Sequence, residues 1–385
     1  MDFLLHPPFS LGWKQFRSKE FDMLRYMTSG ESHGKALVAI LEGMPAGLRI
    51  DSKLIDKELK CRQQGYGRGK RMKIESDKAQ VLSGIKKGVT IGSPIAILIK
   101  NRDFNIDKLP AVRCPRPGHA DLAGMIKYNT IDARDILERS SARETAARVA
   151  MGAICRIFLR EFKIDIFSYT KYIGDIEVDV EELTLEEIKR KAVFSCLNCP
   201  DKKSEALMKQ SIDQAKKRGD TLGGGFEVIG LNVMPGLGSH VHYDRKIDAR
   251  LALELISIQA IKGVEFGAGF LGTQLPGSEF HDEILLKGKA LMRRTNNAGG
   301  IEGGMTNGEP LRVSCAMKPI ATLMNPLSSV DMKTGKSKKA STERSDICAL
   351  PAASVVAENV AAFVIAQAIL EKFGGDSMSE IAKRI

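Results

Sequence analysis

The sequence predicts an α+β protein folded as one compact unit. Three observations carry that expectation. Helical and strand periods alternate along the whole chain. No linker, low-complexity tract or short repeat divides it. A long apolar helical run over residues 351–372 supplies the centrepiece of a large core, which 385 residues are enough to build.

Residues 1–22 read as a loose extension ahead of Met23. Phe3-Leu4-Leu5 is too short for a signal-peptide core, and Pro7-Pro8 interrupts it. The folded domain is expected over 23–385. Residues 36–41 alternate as a strand, and Gly43-Met44-Pro45-Ala46-Gly47 turns the chain. Asp51 caps a short amphipathic helix reaching about Lys60. Gly65-Tyr66-Gly67-Arg68-Gly69-Lys70-Arg71 forms a flexible basic loop. Residues 89–100 read as a buried strand with a Gly-Ser-Pro break near its start. Ser141, with Glu144 three residues on, reads as a capping box that launches a helix. That helix carries Ala146, Val149, Ala150, Ile154, Ile157 and Phe158 on one side.

Beyond it the pattern gives a strand over 164–169, a polar helix from about Leu183, and a second from about Lys203 to Lys217. A strand follows over 226–233, then a helix over 245–262 and a strand over 311–317. In the final helix Pro351 fixes the first turn, and Gly374-Gly375 ends it.

Composition narrows the function. Lysine and arginine exceed acids by 58 to 47, a net charge of +11, which suits anionic partners. The cations are scattered and lack interleaved aromatics, so small polyanionic ligands are expected rather than nucleic acid. No apolar run is expected to cross a membrane. The seven cysteines include one Cys-x-x-Cys, Cys196 to Cys199, with no partner pair at zinc spacing. Reduced thiols in the cytoplasm are expected. His240 and His242 lack a third ligand, so no metal is expected. No Rossmann or P-loop cradle is present.

Four polar clusters stand out: Gly-Glu-Ser-His-Gly at 30–34, Arg-Pro-Gly-His-Ala-Asp at 116–121, Glu-Arg-Ser-Ser-Ala-Arg-Glu-Thr at 138–145 and Glu-Arg-Ser-Asp at 343–346. Arg139, Ser140 and Arg143 crowd an expected helix N-terminus that favours an anion. Each cluster alone has a plainer reading, as a capping serine, a turn histidine or a surface arginine. Together with Ser257-Ile-Gln-Ala-Ile-Lys-Gly-Val-Glu265, Asn297-Ala-Gly-Gly-Ile-Glu-Gly-Gly304 and Lys318-Pro-Ile-Ala-Thr322, they resemble the ordered signature segments of the chorismate synthase family. The resemblance runs from about Met23 to about Lys372.

It implies a sandwich of antiparallel β-sheets with helices packed between and around them, a homotetramer, and reduced FMN that is not consumed. The implied reaction takes 5-enolpyruvylshikimate 3-phosphate to chorismate and phosphate by anti 1,4-elimination. His33 is then the acid that protonates the departing phosphate. His119 sits beside flavin N1, and Asp346, with Ser32 as relay, takes a proton from N5. Flavin contacts fall on Arg139, Ser140, Ser141, Gln259, Ala260, Gly303, Lys318, Pro319, Ile320, Ala321, Thr322 and Arg344. Arg62, Arg68, Arg116 and Arg143 hold substrate, and for Arg62 and Arg68 NADPH stands as an alternative ligand. A different NADPH-using flavoprotein and a basic RNA-binding protein are the rival classes.

Overall fold

The computed structural model describes residues 24–69, 74–343 and 345–385. The extension expected over 1–22, part of the basic loop (70–73) and Arg344 lie outside the described residues. Two antiparallel sheets form the outer layers. The first contains β1 (Arg25–Ser29), β2 (Ala36–Glu42), β3 (Gln80–Val81) and β4 (Ile95–Lys100), in the spatial order β1-β2-β4-β3. The second contains β5 (Asp165–Ile173), β6 (Ile176–Glu177), β7 (Gly224–Leu231), β8 (Ile261–Phe266) and β9 (Leu311–Met317), in the order β8-β9-β7-β5-β6. The α+β sandwich is as expected.

Eight helices complete the part of the fold that positions the site: α1 (Ser52–Gln63), α2 (Asp121–Tyr128), α3 (Arg134–Ser140), α4 (Thr145–Arg160), α5 (Leu185–Ala192), α6 (Lys202–Arg218), α7 (Ile247–Ile256) and α8 (Leu350–Phe373). Strand alternation explains the first sheet. Leu37, Ala39 and Leu41 on β2, and Ile95, Ile97 and Ile99 on β4, all point into the core. They meet α4, which lies along α8, and α8 covers β5 and β7 of the second sheet. Both central helices are apolar on nearly every side, as buried helices are. Thus α4 buries not one face but most of its circumference, from Thr145 through Leu159.

By length and composition α8 could cross a membrane, which corrects the reading that no such run exists. It is mostly buried between the sheets, however, and carries Glu358 tied to Arg156 Nη1 (2.6 Å) and to the Ser168 hydroxyl (2.6 Å).

Other boundaries moved for identifiable reasons. The helix expected over 245–262 stops at Ile256. Residues 257–260 turn the chain with Ala260 at φ +69°, and β8 begins at Ile261. The capping box at Ser141 does not form. Ser141 Oγ accepts from the Arg143 amide (3.3 Å), while the Glu144 carboxylate accepts from Gln259 Nε2 (2.8 Å). Arg139 and Ser140 therefore end α3 instead of opening α4.

The α4–α8 contact is close because Gly152 has no side chain. A Cβ there would stand 2.6 Å from Asn359 Cβ and still closer to the Asn359 carbonyl. Gly152→Ala should therefore overpack the helix crossing and cost about 1–3 kcal/mol, read as a lower denaturation midpoint. An unchanged midpoint would show that the helices can part without loss.

Candidate active site

The ends of several elements converge on one cavity of about 510 Å³, a size that suits small-molecule sites. The turn between β1 and β2 brings Ser32 and His33. The last turn of α1 brings Arg62, and the loop after it Arg68. The loop before α2 supplies Arg116 and His119, and the α3–α4 junction supplies Ser140, Ser141 and Arg143. Gln259 and Ala260 come from the turn before β8. Lys318, Ile320, Ala321 and Thr322 follow β9, and Asp346 precedes α8. Ala349, Ala352, Ala353 and Val356 form an apolar wall.

Both histidines therefore line the same space, with all four expected substrate arginines. Arg139, Gly303 and Pro319 are not brought to it. Arg139 instead donates to the carbonyls of Gly30 (3.0 Å) and Thr28 (2.9 Å), bracing the end of β1. Gly303 sits at φ +58° in the short hairpin between Ile301–Glu302 and Met305–Thr306, where an added Cβ would meet nothing within 4 Å.

Both histidines and all four arginines rest on neighbouring acids. His33 Nδ1 lies 3.0 Å from both Glu138 carboxylate oxygens, and the His33 amide donates to Glu138 Oε2 (2.7 Å). His119 Nδ1 lies 2.5 Å from Asp121 Oδ1, and Arg116 clamps the same carboxylate through Nε (2.8 Å) and Nη2 (3.0 Å). Arg116 Nη1 also donates to the Thr322 hydroxyl (2.8 Å), tying the α2 loop to the segment after β9.

Behind the arginines lies a second acidic layer. Arg143 donates to Asp77 Oδ2 (2.7 Å) and to Asn101 Oδ1 (2.9 Å). Its Nη2 stands 3.8 Å from Glu75 Oε2. Arg62 reaches toward Asp77 at 3.8 Å and donates to Thr145 Oγ1 (3.1 Å) and to the Arg143 carbonyl (3.3 Å). Arg68 pairs with Asp346 (2.8 Å), whose other oxygen accepts from the Gly69 amide (2.5 Å).

Burial pulls the Arg62 guanidinium down to about 10, which leaves it cationic at neutral pH. Burial, reinforced by Lys262, lowers the Lys318 ammonium. For Asp121, burial pushes upward, but the hydrogen bonds from His119 and Arg116 win and hold it far below the usual carboxylate range. Burial likewise opposes ionisation of Glu138, and the bonds from His33 outweigh it.

Several buried polar atoms here have no hydrogen-bond partner: Arg62 Nη1, Arg143 Nη2, Arg68 Nε, the Ser140 hydroxyl and Gln259 Oε1. Orphans of this kind call for an explanation. A ligand that combines anionic groups with ring N–H donors would satisfy them, so the residues fit a phosphorylated substrate with a flavin. Among the described residues no cluster of metal-ligating side chains occurs. Sequence reasoning missed Glu138, Glu75, Asp77 and Asn101. Asp121 and Glu138 had a local signal, inside the Arg-Pro-Gly-His-Ala-Asp cluster and at the head of the cluster over 138–145; Glu75, Asp77 and Asn101 had none.

A chorismate synthase family model matches residues 24–370. The chain is similar to the chorismate synthase of Aquifex aeolicus (strain VF5), with 52% identity over 390 residues, covering 94% of this chain and 96% of that protein. It is also similar to that of Desulforamulus reducens (strain ATCC BAA-1160 / DSM 100696 / MI-1), with 53% identity over 378 residues and coverage of 94% and 97%. A crystal structure of a chorismate synthase superposes with a TM-score of 0.77 at 47% identity, covering 94% of this chain and 96% of that one.

The depressed carboxyl of Asp121 links the site to stability. A group lowered on folding contributes stability that is fully present above its ordinary value, here 3.8, and is lost as pH falls through the folded one. Asp121→Asn should thus unfold more readily near neutrality and lose less stability than the parent on acidification below pH 3.8. Denaturation midpoints across pH measure this. Parallel acid limbs for the two proteins would contradict the linkage.

Proposed function

The chain belongs to the chorismate synthase family, and on that premise we propose that it eliminates phosphate from 5-enolpyruvylshikimate 3-phosphate to give chorismate, the last step of the shikimate pathway. The observation that carries this reading is the single cavity shared by His33, His119 and four arginines. A substrate with two carboxylates and a phosphate needs several guanidinium forks. Its allylic carbon–oxygen bond breaks with the electron pair leaving on phosphate, and C6 loses a net proton whose bonding pair enters the new ring double bond. Reduced FMN, when bound, supplies electron density that stabilises positive charge developing on the ring.

The chain's own residues divide the remaining work. With Nδ1 of His33 turned to Glu138, Nε2 hands a proton to the departing phosphate. His119, held by Asp121, balances negative charge on the flavin. Asp346 is the proton acceptor, braced by Arg68 and the Gly69 amide, with Ser32 as its relay. Arg62, Arg68, Arg116 and Arg143 orient the substrate. Arg62 and Arg68 share the histidines' cavity, which favours substrate over NADPH as their ligand; use of NADPH as flavin reductant is a separate part of the proposal.

Flavin is assigned to Ser140, Ser141, Gln259, Ala260, Lys318, Ile320, Ala321 and Thr322, with Arg344 kept on the resemblance alone. Arg139, Gly303 and Pro319 do not line the cavity within one chain, and their flavin assignment, like that of Arg344, is kept on the resemblance alone. The homotetramer draws support from an exposed apolar hairpin, Ile284–Lys287 with Ala290–Arg293, where Ile284, Leu286 and Leu291 are 68–75% exposed. All seven cysteines are free, in keeping with a cytoplasmic enzyme. The domain is taken to begin at Met23, with residues 1–22 as an extension.

An anaerobic mixture of protein, chemically reduced FMN and 5-enolpyruvylshikimate 3-phosphate should release phosphate and chorismate in equal amounts. His33→Ala and His119→Ala should each slow turnover about 10²–10⁴-fold. A variant at the parent rate would remove that histidine from the chemistry. Arg143→Ala should chiefly raise the substrate concentration needed for half-maximal rate; an unchanged value would make Arg143 structural only.

A further inference from the structure

We infer that Glu138 is the positioning residue for His33: its carboxylate holds the Nδ1–H, so that the imidazolium gives its proton from Nε2 and the neutral ring left behind is the Nδ1–H tautomer, ready to be recharged at Nε2. The inference deepens the functional reading and rests on His33 being the acid.

The geometry is over-determined. The Glu138 side chain is 1% exposed, on the last turn of α3, and its main-chain carbonyl accepts from the Ser32 amide (2.8 Å). One carboxylate oxygen also takes the His33 amide at 2.7 Å, and both lie 3.0 Å from ring Nδ1. Backbone and ring of His33 are thus gripped by the same group. Arg134 Nη1 stands 3.4 Å from Glu138 Oε1. It is itself anchored by the Pro110 carbonyl (3.2 Å) and by Glu343 (2.8 Å).

The hydrogen bonds from His33 keep Glu138 ionised. An ionised carboxylate only accepts, so Nδ1 must carry the hydrogen. On the opposite edge, Asp103 lies 3.9 Å from Nε2, beyond hydrogen-bond reach. Free imidazole favours the Nε2–H form, which takes its next proton at Nδ1, so an unheld neutral ring would no longer be recharged at Nε2. A second consequence follows from counting acceptors. Glutamine at 138 leaves one acceptor oxygen for the His33 amide and Nδ1–H to share, and sets an NH2 donor where the second carboxylate oxygen stood, which favours a ring with Nδ1 unprotonated.

The test uses the full-length protein with ¹⁵N-labelled histidine. His33→Ala identifies the His33 signals among the six histidines. At a pH where the ring is neutral, proton-bearing ¹⁵N is expected at Nδ1 in the parent. It should move wholly or partly to Nε2 in Glu138→Gln and Glu138→Ala. In anaerobic turnover with reduced FMN, Glu138→Gln should lose about 10²-fold or more in kcat, as expected for a ring in the wrong tautomer. KM should stay within about threefold, and Glu138→Asp should recover part of the loss.

An Nε2–H ring in the parent overturns the inference. So does parent-level turnover in Glu138→Gln when His33→Ala is slow. Parent-level turnover in His33→Ala would instead strike the acid role of His33. The tautomer signal would still decide what Glu138 does, because it requires no turnover.

Discussion

A guanidinium or imidazole taken out of water is tolerated only with an acid beside it, and that requirement organises this site. Asp77 and Glu75 stand behind Arg62 and Arg143, Asp346 beside Arg68, Asp121 between Arg116 and His119, and Glu138 beneath His33. Ion pairs this deeply buried add little net stability, because desolvation cancels much of the attraction. Their value is geometric. Each fixes the direction of a donor before any ligand arrives, so little reorganisation is left for the reaction itself.

The fold makes those pairings available by ending its elements at one place. The α4–α8 layer between the two sheets is almost wholly apolar, so polar groups collect where its helices begin. The α3–α4 junction and the start of α8 meet there with the last turn of α1 and the segment after β9. Gly152 lets α4 and α8 approach closely enough for both sheets to share one core. The same closeness sets the spacing between Ser140–Arg143 on one side of the cavity and Ala349–Val356 on the other. Packing in the middle of the molecule therefore governs geometry at its polar end.

Much of this architecture was legible from periodicity. The strand over Leu311–Met317 and the final helix matched closely because alternation, Pro351 and Gly374 are local signals. The helix expected over 245–262 overran because the turn at 257–260 contains no glycine; Ala260 takes the left-handed conformation only because its surroundings impose it. The short helices α2 and α3 escaped notice because eight and seven residues are too few to display a helical period. At the site, ordered motifs identified the histidines and arginines. Asp121 and Asp346 fell inside those motifs, but the pairing of the other acids was invisible for a physical reason: Glu138 lies 105 residues from His33, and Asp77 lies 66 from Arg143. No spacing rule relates such pairs, and only the folded chain brings them together.

The central claim is that one cavity, cationic by its side chains and shaped by buried acids, receives flavin and substrate together. A crystal structure of this protein with reduced FMN and 5-enolpyruvylshikimate 3-phosphate tests it most directly. The expected result has both ligands between His33 and His119, with the orphaned nitrogens of Arg62 and Arg143 and the oxygen of Gln259 occupied. Flavin bound at another surface, with those atoms still unpartnered, would contradict it.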